Sequence, residues 1–228
     1  MLYTKEQVSQ NIRNRQGQRV FYLGKEDHLT SEARDYLNSQ RIQILPASEA
    51  VPKGYQLLSG AILTEKPEHM THLNAEVLVP KTHPRICFRG AVDTLEAWLL
   101  SCQQAVPSCQ KELQEILELT RKLIRCDVLN EPVGSYTLCG LTKEELRQHS
   151  HFPQRHYGIP HFMPSCHDRA SVLELNRVRC MARAAELAAT QAFCDRDGEP
   201  TRVDILQALN RISSMLYLLM IREKARPL

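Results

Sequence analysis

Hydrophobic and polar positions along this chain fall into two regimes. From Arg89 onward, apolar side chains recur every three or four residues, the period of a helix with one buried face. Gly90 to about Gln104 puts Val92, Leu95, Leu99 and Cys102 in one stripe, with Asp93 and Glu96 beside it. Leu113, Ile116, Leu117, Thr120, Leu123 and Ile124 form a second stripe, ended by Asn130-Glu131-Pro132. Thr142 and Glu145 make a capping-box pattern that opens a shorter helix, fading at His149. A fourth helix runs from about Ser171 to Phe193 with no Gly or Pro inside, and a last one from Thr201 to about Lys224. The last is apolar on most sides, through Ile205, Leu206, Leu209, Ile212, Leu216 and Leu219, which predicts a place in the middle of a bundle. On it Asn210 and Ser213 share a face with Leu206 and Tyr217, setting polar atoms where core is expected.

Upstream of Arg89 the pattern is shorter and mixed. Residues 1–16 read as a short polar helix, and Val20-Phe21-Tyr22-Leu23 as a strand. Thr30 is placed to cap a helix from Ser31 to about Gln40 that carries Ala33, Tyr36 and Leu37 on one side. Arg41 to Leu45 reads as a second strand, closed by Pro46. A β-α-β unit of this size is too small to hold a core alone, so it predicts an appendage that packs on a larger body or on another subunit. Residues 46–63, with two prolines and two glycines, read as a linker. The expected fold is therefore mainly α: a small β-α-β appendage and linker over 1–60, then a bundle of four to five helices over 61–228.

Composition narrows the function. A net charge of +3 over 228 residues is too small for a nucleic-acid footprint. The longest apolar run, Met215 to Ile221, is only seven residues, so no membrane span is expected. The N-terminus lacks the apolar centre of a secretory signal, and a cytoplasmic protein is expected. Eight cysteines contain no C-x-x-C pair and are scattered through the predicted helices, which fits reduced, structural thiols.

The chemistry gathers on the helix after Ser171. Arg179, Arg183 and Glu186 are spaced i, i+4, i+7 on one face, together with Val172, Leu175, Ala182 and Phe193. Alanines at 182, 184, 185, 188, 189 and 192 allow close helix approach. Guanidinium groups set into a packing surface must be paired, so this set is either an ion-pair network or an anion site. Five histidines (149, 151, 156, 161 and 167) fall in the Pro-rich connection just before that helix. Their spacing matches no zinc motif; a loop folded over a pocket fits them better, with Phe162 its apolar group and Pro164 stiffening the chain. Lys66 to Leu73 (KPEHMTHL) reads as an ordered polar loop.

F-x-x-P-S at Phe162, L-x-x-x-R-x-x-x-R-x-x-E from Leu175 through Arg179 and Arg183 to Glu186, and L-N-R-I-S from Leu209 to Ser213 together resemble the PduO-type cobalamin adenosyltransferases. LTSEARDYL (29–37), KPEHMTHL (66–73), HPRICFRGAVDTLEAWL (83–99) and DILQALNRISSMLYLLM (204–220) are similar to the ethanolamine-utilisation branch of these enzymes. The resemblance covers most of the chain in order. It implies transfer of the 5′-deoxyadenosyl group of ATP to the cobalt of cobalamin, with Mg²⁺, at sites between subunits of a homo-oligomer. It implies that Arg183, Glu186 and Asn210 bind ATP, that Asp93 pairs with Arg179 of a neighbouring subunit and shapes the corrinoid face, and that Phe162 presses on the lower face of the corrin. Lys66 and Thr71 are candidate phosphate contacts, because their loop stands where the PduO-type enzymes carry a glycine-rich ATP loop. Ethanolamine ammonia-lyase or its reactivase is the implied partner, and a bacterial microcompartment a possible location.

Two departures bear on the site. The ethanolamine branch often has an H-x11-C-C-x2-C metal-binding insertion, whereas here Gly60 to Thr64 runs directly toward Lys66 and no cysteine precedes Cys87, so no Fe or Zn centre is expected. The PduO-type motif continues N-R-L-S-D, and this chain has Ser214 at the Asp position. From the residues alone a helical scaffold protein of a metabolic compartment and a non-catalytic corrinoid carrier stay open.

Overall fold

The computed structural model describes residues 1–15, 17–49 and 54–227 and divides into two compact units, Met1–Gly54 and Tyr55–Leu228. The first unit holds β1 (Leu2–Tyr3), α1 (Lys5–Gln10), β2 (Arg13–Arg15), β3 (Gln18–Leu23), β4 (His28–Leu29), α2 (Ser31–Ser39) and β5 (Gln43–Pro46). β3 runs parallel to β5, Phe21 opposite Ile44, and antiparallel to β2; β1 lies parallel to β4. Thr30 caps α2 by accepting from the Ala33 N–H at 3.2 Å, as its position before the apolar stripe predicts. Val8, Phe21, Ala33, Leu37 and Ile42 bury together as a core of the unit's own. The polar helix expected over residues 1–16 is confined to α1: a Thr4 and Gln7 capping box starts it, and strands flank it.

The stretch read as a linker is largely structured. Beyond β5 and a single 3-10 turn at Ala47–Glu49, it contributes β6 (Tyr55–Leu57) and β7 (Ile62–Leu63); residues 50–53 of it lie outside the described residues. β8 (Met70–His72) and β9 (Val77–Pro80) complete a sheet of order β7-β6-β9-β8, in which only β6 and β9 are parallel. KPEHMTHL is thus part strand rather than loop, with Thr71 opposite Val79.

The remaining elements are helical: α3 (Pro84–Ala105), α4 (Gln110–Leu129), α5 (Lys143–His151), α6 (Pro153–Tyr157), α7 (Ala170–Phe193) and α8 (Val203–Ala225). α3 begins six residues before Gly90 because Pro84 can occupy the first helical position and His83 Nδ1 accepts the Arg85 N–H at 3.2 Å. Helices α3, α4, α8 and α7 close a ring of four, each packed on the next, and α5 and α6 rest on α8. One apolar core runs through them, including Phe88, Leu95, Leu117, Val178, Ala185 and Leu216. α7 packs against both α3 and α8, and its alanines at 182, 185 and 189 are fully buried.

A buried carboxylate ties the start of α3 to the end of α4. Asp127 is wholly buried; Arg85 Nε donates to its Oδ1 and Arg89 Nε to its Oδ2, each at 2.7 Å. Arg89 also donates to the Leu73 carbonyl at 2.7 Å, fastening the chain just after β8. Just past the end of α4, the Glu131 carbonyl accepts from Arg202 at 2.8 Å, and Arg202 pairs with Asp204 at 2.9 Å.

Candidate active site

The Arg179, Arg183 and Glu186 face borders the buried stripe of α7 instead of interrupting it. Val172, Leu175, Ala182 and Phe193 are buried, Arg179 and Glu186 are half-buried and Arg183 is exposed, because the charged positions are rotated around the helix axis to the edge of the stripe. Arg179 is held by its own helix, its Nη2 donating to Asn176 Oδ1 at 3.0 Å.

Along that flank lies a cleft of about 440 Å³ between α7, α8 and the connection leading into α7. Arg179 and Arg183 line it from α7; Asn210, Ser213, Ser214 and Tyr217 line it from α8; His161, Phe162, Met163 and Pro164 close it from the connection. Asn210 sits where α7 and α8 meet and donates its Nδ2 to Glu186 Oε1 at 2.9 Å, while Arg211 Nη2 donates to Asn210 Oδ1 at 2.7 Å. Glu186 and Asn210 thus form one hydrogen-bonded pair across two helices. Ser214, at the position where the PduO-type motif has Asp, donates to the Asn210 carbonyl at 3.0 Å and so carries no charge to the cleft.

The apolar wall has its own supports. Phe162 stacks on Tyr217 with ring centroids 6.0 Å apart, and the Phe162 N–H donates to the Tyr217 hydroxyl at 3.3 Å. His161 joins the same hydroxyl through Nδ1 at 3.1 Å and the His151 carbonyl through Nε2 at 3.1 Å. His149 and His156 stack at 3.8 Å, and His149 Nδ1 meets the Tyr157 hydroxyl at 2.8 Å. Burial, aided by the nearby His156 charge, holds His149 below the ordinary histidine range. His167 is exposed, away from these contacts. Among the described residues no group of three His, Cys, Asp or Glu side chains is arranged to hold a metal ion.

Three residues singled out in the sequence lie elsewhere. Asp93 is exposed on α3, Lys66 is exposed between β7 and β8, and Thr71 is half-buried in β8; none lines the cleft. Tyr217, Arg211 and Lys224, in contrast, enter the site's geometry without having been assigned roles. Tyr217 is visible from the shared face with Asn210; Lys224 carries no sequence signal, since it stands in the last turn of α8. A separate cavity of about 470 Å³ near the end of α8 is lined by Arg222, Glu223 and Arg226, whose charges are already paired: Arg222 with Glu112 at 2.7 Å and Arg226 with Glu223 at 3.0 Å. The charged cleft beside Phe162 is the better ligand site.

A ring of four helices with a cleft that joins two guanidinium groups, an amide and a wall of aromatic rings defines a helical-bundle protein with a charged, aromatic-walled cleft. Residues 62–223 match the family described as cobalamin adenosyltransferase, and the chain belongs to that family. The chain is 34% identical over 227 aligned residues to the corrinoid adenosyltransferase EutT of Escherichia coli (strain K12), a match covering 88% of this chain and 84% of that protein. It is 33% identical over 232 residues to the corrinoid adenosyltransferase EutT of Salmonella typhimurium (strain LT2), covering 90% and 86%. No solved structure matches. The activity is ATP-dependent adenosylation of a corrinoid. Among the described residues no helix is long and apolar enough to cross a membrane.

Proposed function

We propose that the chain supplies adenosylcobalamin for ethanolamine breakdown, working in the cleft between α7 and α8 with ATP and cob(I)alamin as substrates. The observation that carries the reading is the convergence on one cleft of Arg179, Arg183 and Asn210 with Phe162, residues drawn from three separate segments. The likeness to the two EutT proteins supports the ethanolamine link.

In this reading the cobalt of cob(I)alamin attacks C5′ of ATP, the C5′–O5′ bond breaks, and the triphosphate leaves with the bonding electrons. Negative charge grows on the leaving oxygen, so preorganised cations nearby lower the barrier. Arg183 and Arg179 supply that charge, and the planar fork of a guanidinium suits phosphate oxygens. Asn210, fixed by Glu186 and Arg211, holds the nucleotide. Mg²⁺ enters with the triphosphate as part of the substrate, its charge screening the phosphates. Phe162 and Tyr217 supply the apolar wall against the corrin, and Phe162 displaces water and the lower ligand from cobalt, which makes Co(II) easier to reduce.

Arg183 is exposed in the single chain, as are Asp93 on α3 and the apolar Leu100 and Leu187 on α3 and α7. These exposed groups support a homo-oligomer in which a second copy covers that face, bringing Asp93 to Arg179 of its neighbour, and Lys66 and Thr71 toward the phosphates. Ethanolamine ammonia-lyase or its reactivase is the proposed recipient of the product, in the cytoplasm or a microcompartment.

The test is to mix the protein with MgATP and chemically reduced cobalamin and follow the light-sensitive Co–C product. Formation at enzymatic rates supports the reading. Binding of cobalamin without product would make the chain a carrier, and binding of neither substrate would make it a scaffold.

A further inference from the structure

Phe162 is held by the last turns of α8 at more than one point. Besides the Tyr217 stack and hydrogen bond, Lys224, two turns on, sets its Nζ 4.5 Å from the centre of the Phe162 ring. The same ammonium pairs with Asp168 Oδ1, and Asp168 Oδ2 accepts the Ser165 N–H at 2.7 Å, closing the turn that follows Pro164. Arg169 then donates to the Arg226 carbonyl at 2.7 Å. The Asp168 side chain is only 8% exposed, so its ion pair is shielded on the carboxylate side. Five contacts, two to Tyr217, two to Lys224 and one to Arg226, thus strap the segment from Phe162 to Arg169 along the end of α8. Removing Lys224 would break two of the five at once: its contact with the Phe162 ring and its ion pair with Asp168.

We propose that Lys224 and Asp168 are positioning residues that fix Phe162 in the corrinoid side of the cleft. The proposal rests on the reading of Phe162 given above. Lys224 serves because a single ammonium can satisfy a carboxylate and a ring face together; Asp168 serves because it neutralises that ammonium and shapes the turn that presents Phe162. Neither touches the nucleotide groups Arg183 and Asn210 in the structure.

The experiment compares adenosylation by the full-length protein from two starting points: cob(I)alamin generated chemically, and cob(II)alamin with dihydroflavin as one-electron donor. The readout is the ratio of the second rate to the first. Lys224→Met is expected to lower this ratio about fivefold, the order of one cation–π contact. Lys224→Arg should restore most of it, and Asp168→Asn should give a smaller loss. The electron paramagnetic resonance signal of four-coordinate cob(II)alamin, formed in the presence of MgATP, should weaken in the same order. If Phe162→Ala lowers the ratio and Lys224→Met does not, the positioning role is overturned. If Phe162→Ala also leaves the ratio unchanged, the reading of Phe162 itself is what fails. Equal losses from both starting points in Lys224→Met, with a lower melting temperature, would overturn the proposal in favour of a purely structural ion pair.

Discussion

Asn210 of α8 donates its Nδ2 to the Glu186 carboxylate of α7 at 2.9 Å, and its Oδ1 accepts from Arg211 at 2.7 Å. Both ends of the amide are engaged within the chain, so its orientation is set before any ligand arrives. Arg211 is itself half-buried, with its Nε lacking a partner among the described residues, so the bond to Asn210 is its main polar contact. Preorganisation of this kind is what a site for a flexible triphosphate needs.

Asn210→Ala and Arg183→Ala should each reduce kcat/KM for ATP by roughly 10- to 100-fold, with the melting temperature close to that of the parent in the exposed Arg183→Ala and only about 2–4 °C lower in Asn210→Ala, which loses its bond to Glu186. Steady-state kinetics with varied ATP, alongside thermal unfolding, checks this. Unchanged kinetics in both variants would remove the nucleotide from this cleft.

Phe162→Ala should lower the cob(II)alamin-dependent rate more than the rate from pre-reduced cob(I)alamin, because in the proposed mechanism the ring acts on the Co(II) coordination state and not on the attack at C5′. The two assays run in parallel give the ratio. Equal loss in both would reduce Phe162 to packing.

Asp127→Ala should destabilise the second unit by about 3 kcal/mol, since it strands the charges of Arg85 and Arg89 beside a buried site. Both arginines are partly exposed, which keeps the loss at the lower end of what a fully buried pair shows. Urea unfolding followed by circular dichroism measures it, and a change below about 1 kcal/mol would contradict the importance assigned to this junction.

The acid limb of stability should depend on Asp204. Its hydrogen bond from Arg202 outweighs the opposing cost of burial, and a further bond from the Val133 N–H helps hold its carboxyl at about 2, below the ordinary 3.8. A depressed carboxylate contributes stability that is complete above the unfolded value and is lost as pH falls from there toward 2. Its partial exposure brings the contribution to about 1–2 kcal/mol. Asp204→Asn should therefore unfold more easily at neutral pH and show a flatter decline between pH 4 and pH 2, read from melting temperature against pH.

Stripping the protein with a chelator and restoring only Mg²⁺ should return full activity, since the chain lacks the Cys-rich segment before Lys66. Activity that returned only with Fe²⁺ or Zn²⁺ would reverse this expectation.

Much of the helical architecture was written in local period. The stripes of α4, α7 and α8 and the caps at Thr30 and Thr142 depend on neighbours within four residues, and such signals survive without knowledge of the rest of the chain. The sheet of β6 to β9 was not legible, because its strands are two to four residues long, set among Gly and Pro, and its parallel β6–β9 pair joins residues separated by two further strands, β7 and β8, and their loops. The cleft was half legible. Arg179, Arg183 and Glu186 announce themselves by spacing and Asn210 as a polar interruption, whereas Lys224 reaches Phe162 only through the fold. Asp127 had a signal that went unread: it falls four residues after Leu123 on the buried stripe of α4, facing Arg85 and Arg89, themselves one turn apart on α3.

Burial sorts the thiols into two chemical populations. Burial pushes Cys102 and Cys139 up to about 12 and Cys109 up to about 11, far from a reactive thiolate at neutral pH. Cys87, Cys166 and Cys180 are exposed, and Cys166 stands in the segment that carries Phe162. Replacing Cys87, Cys180 and the half-buried Cys194 with serine would leave one readily alkylated sulfur beside the proposed corrinoid wall, so a fluorophore attached at Cys166 could report substrate arrival in real time without any engineered attachment point.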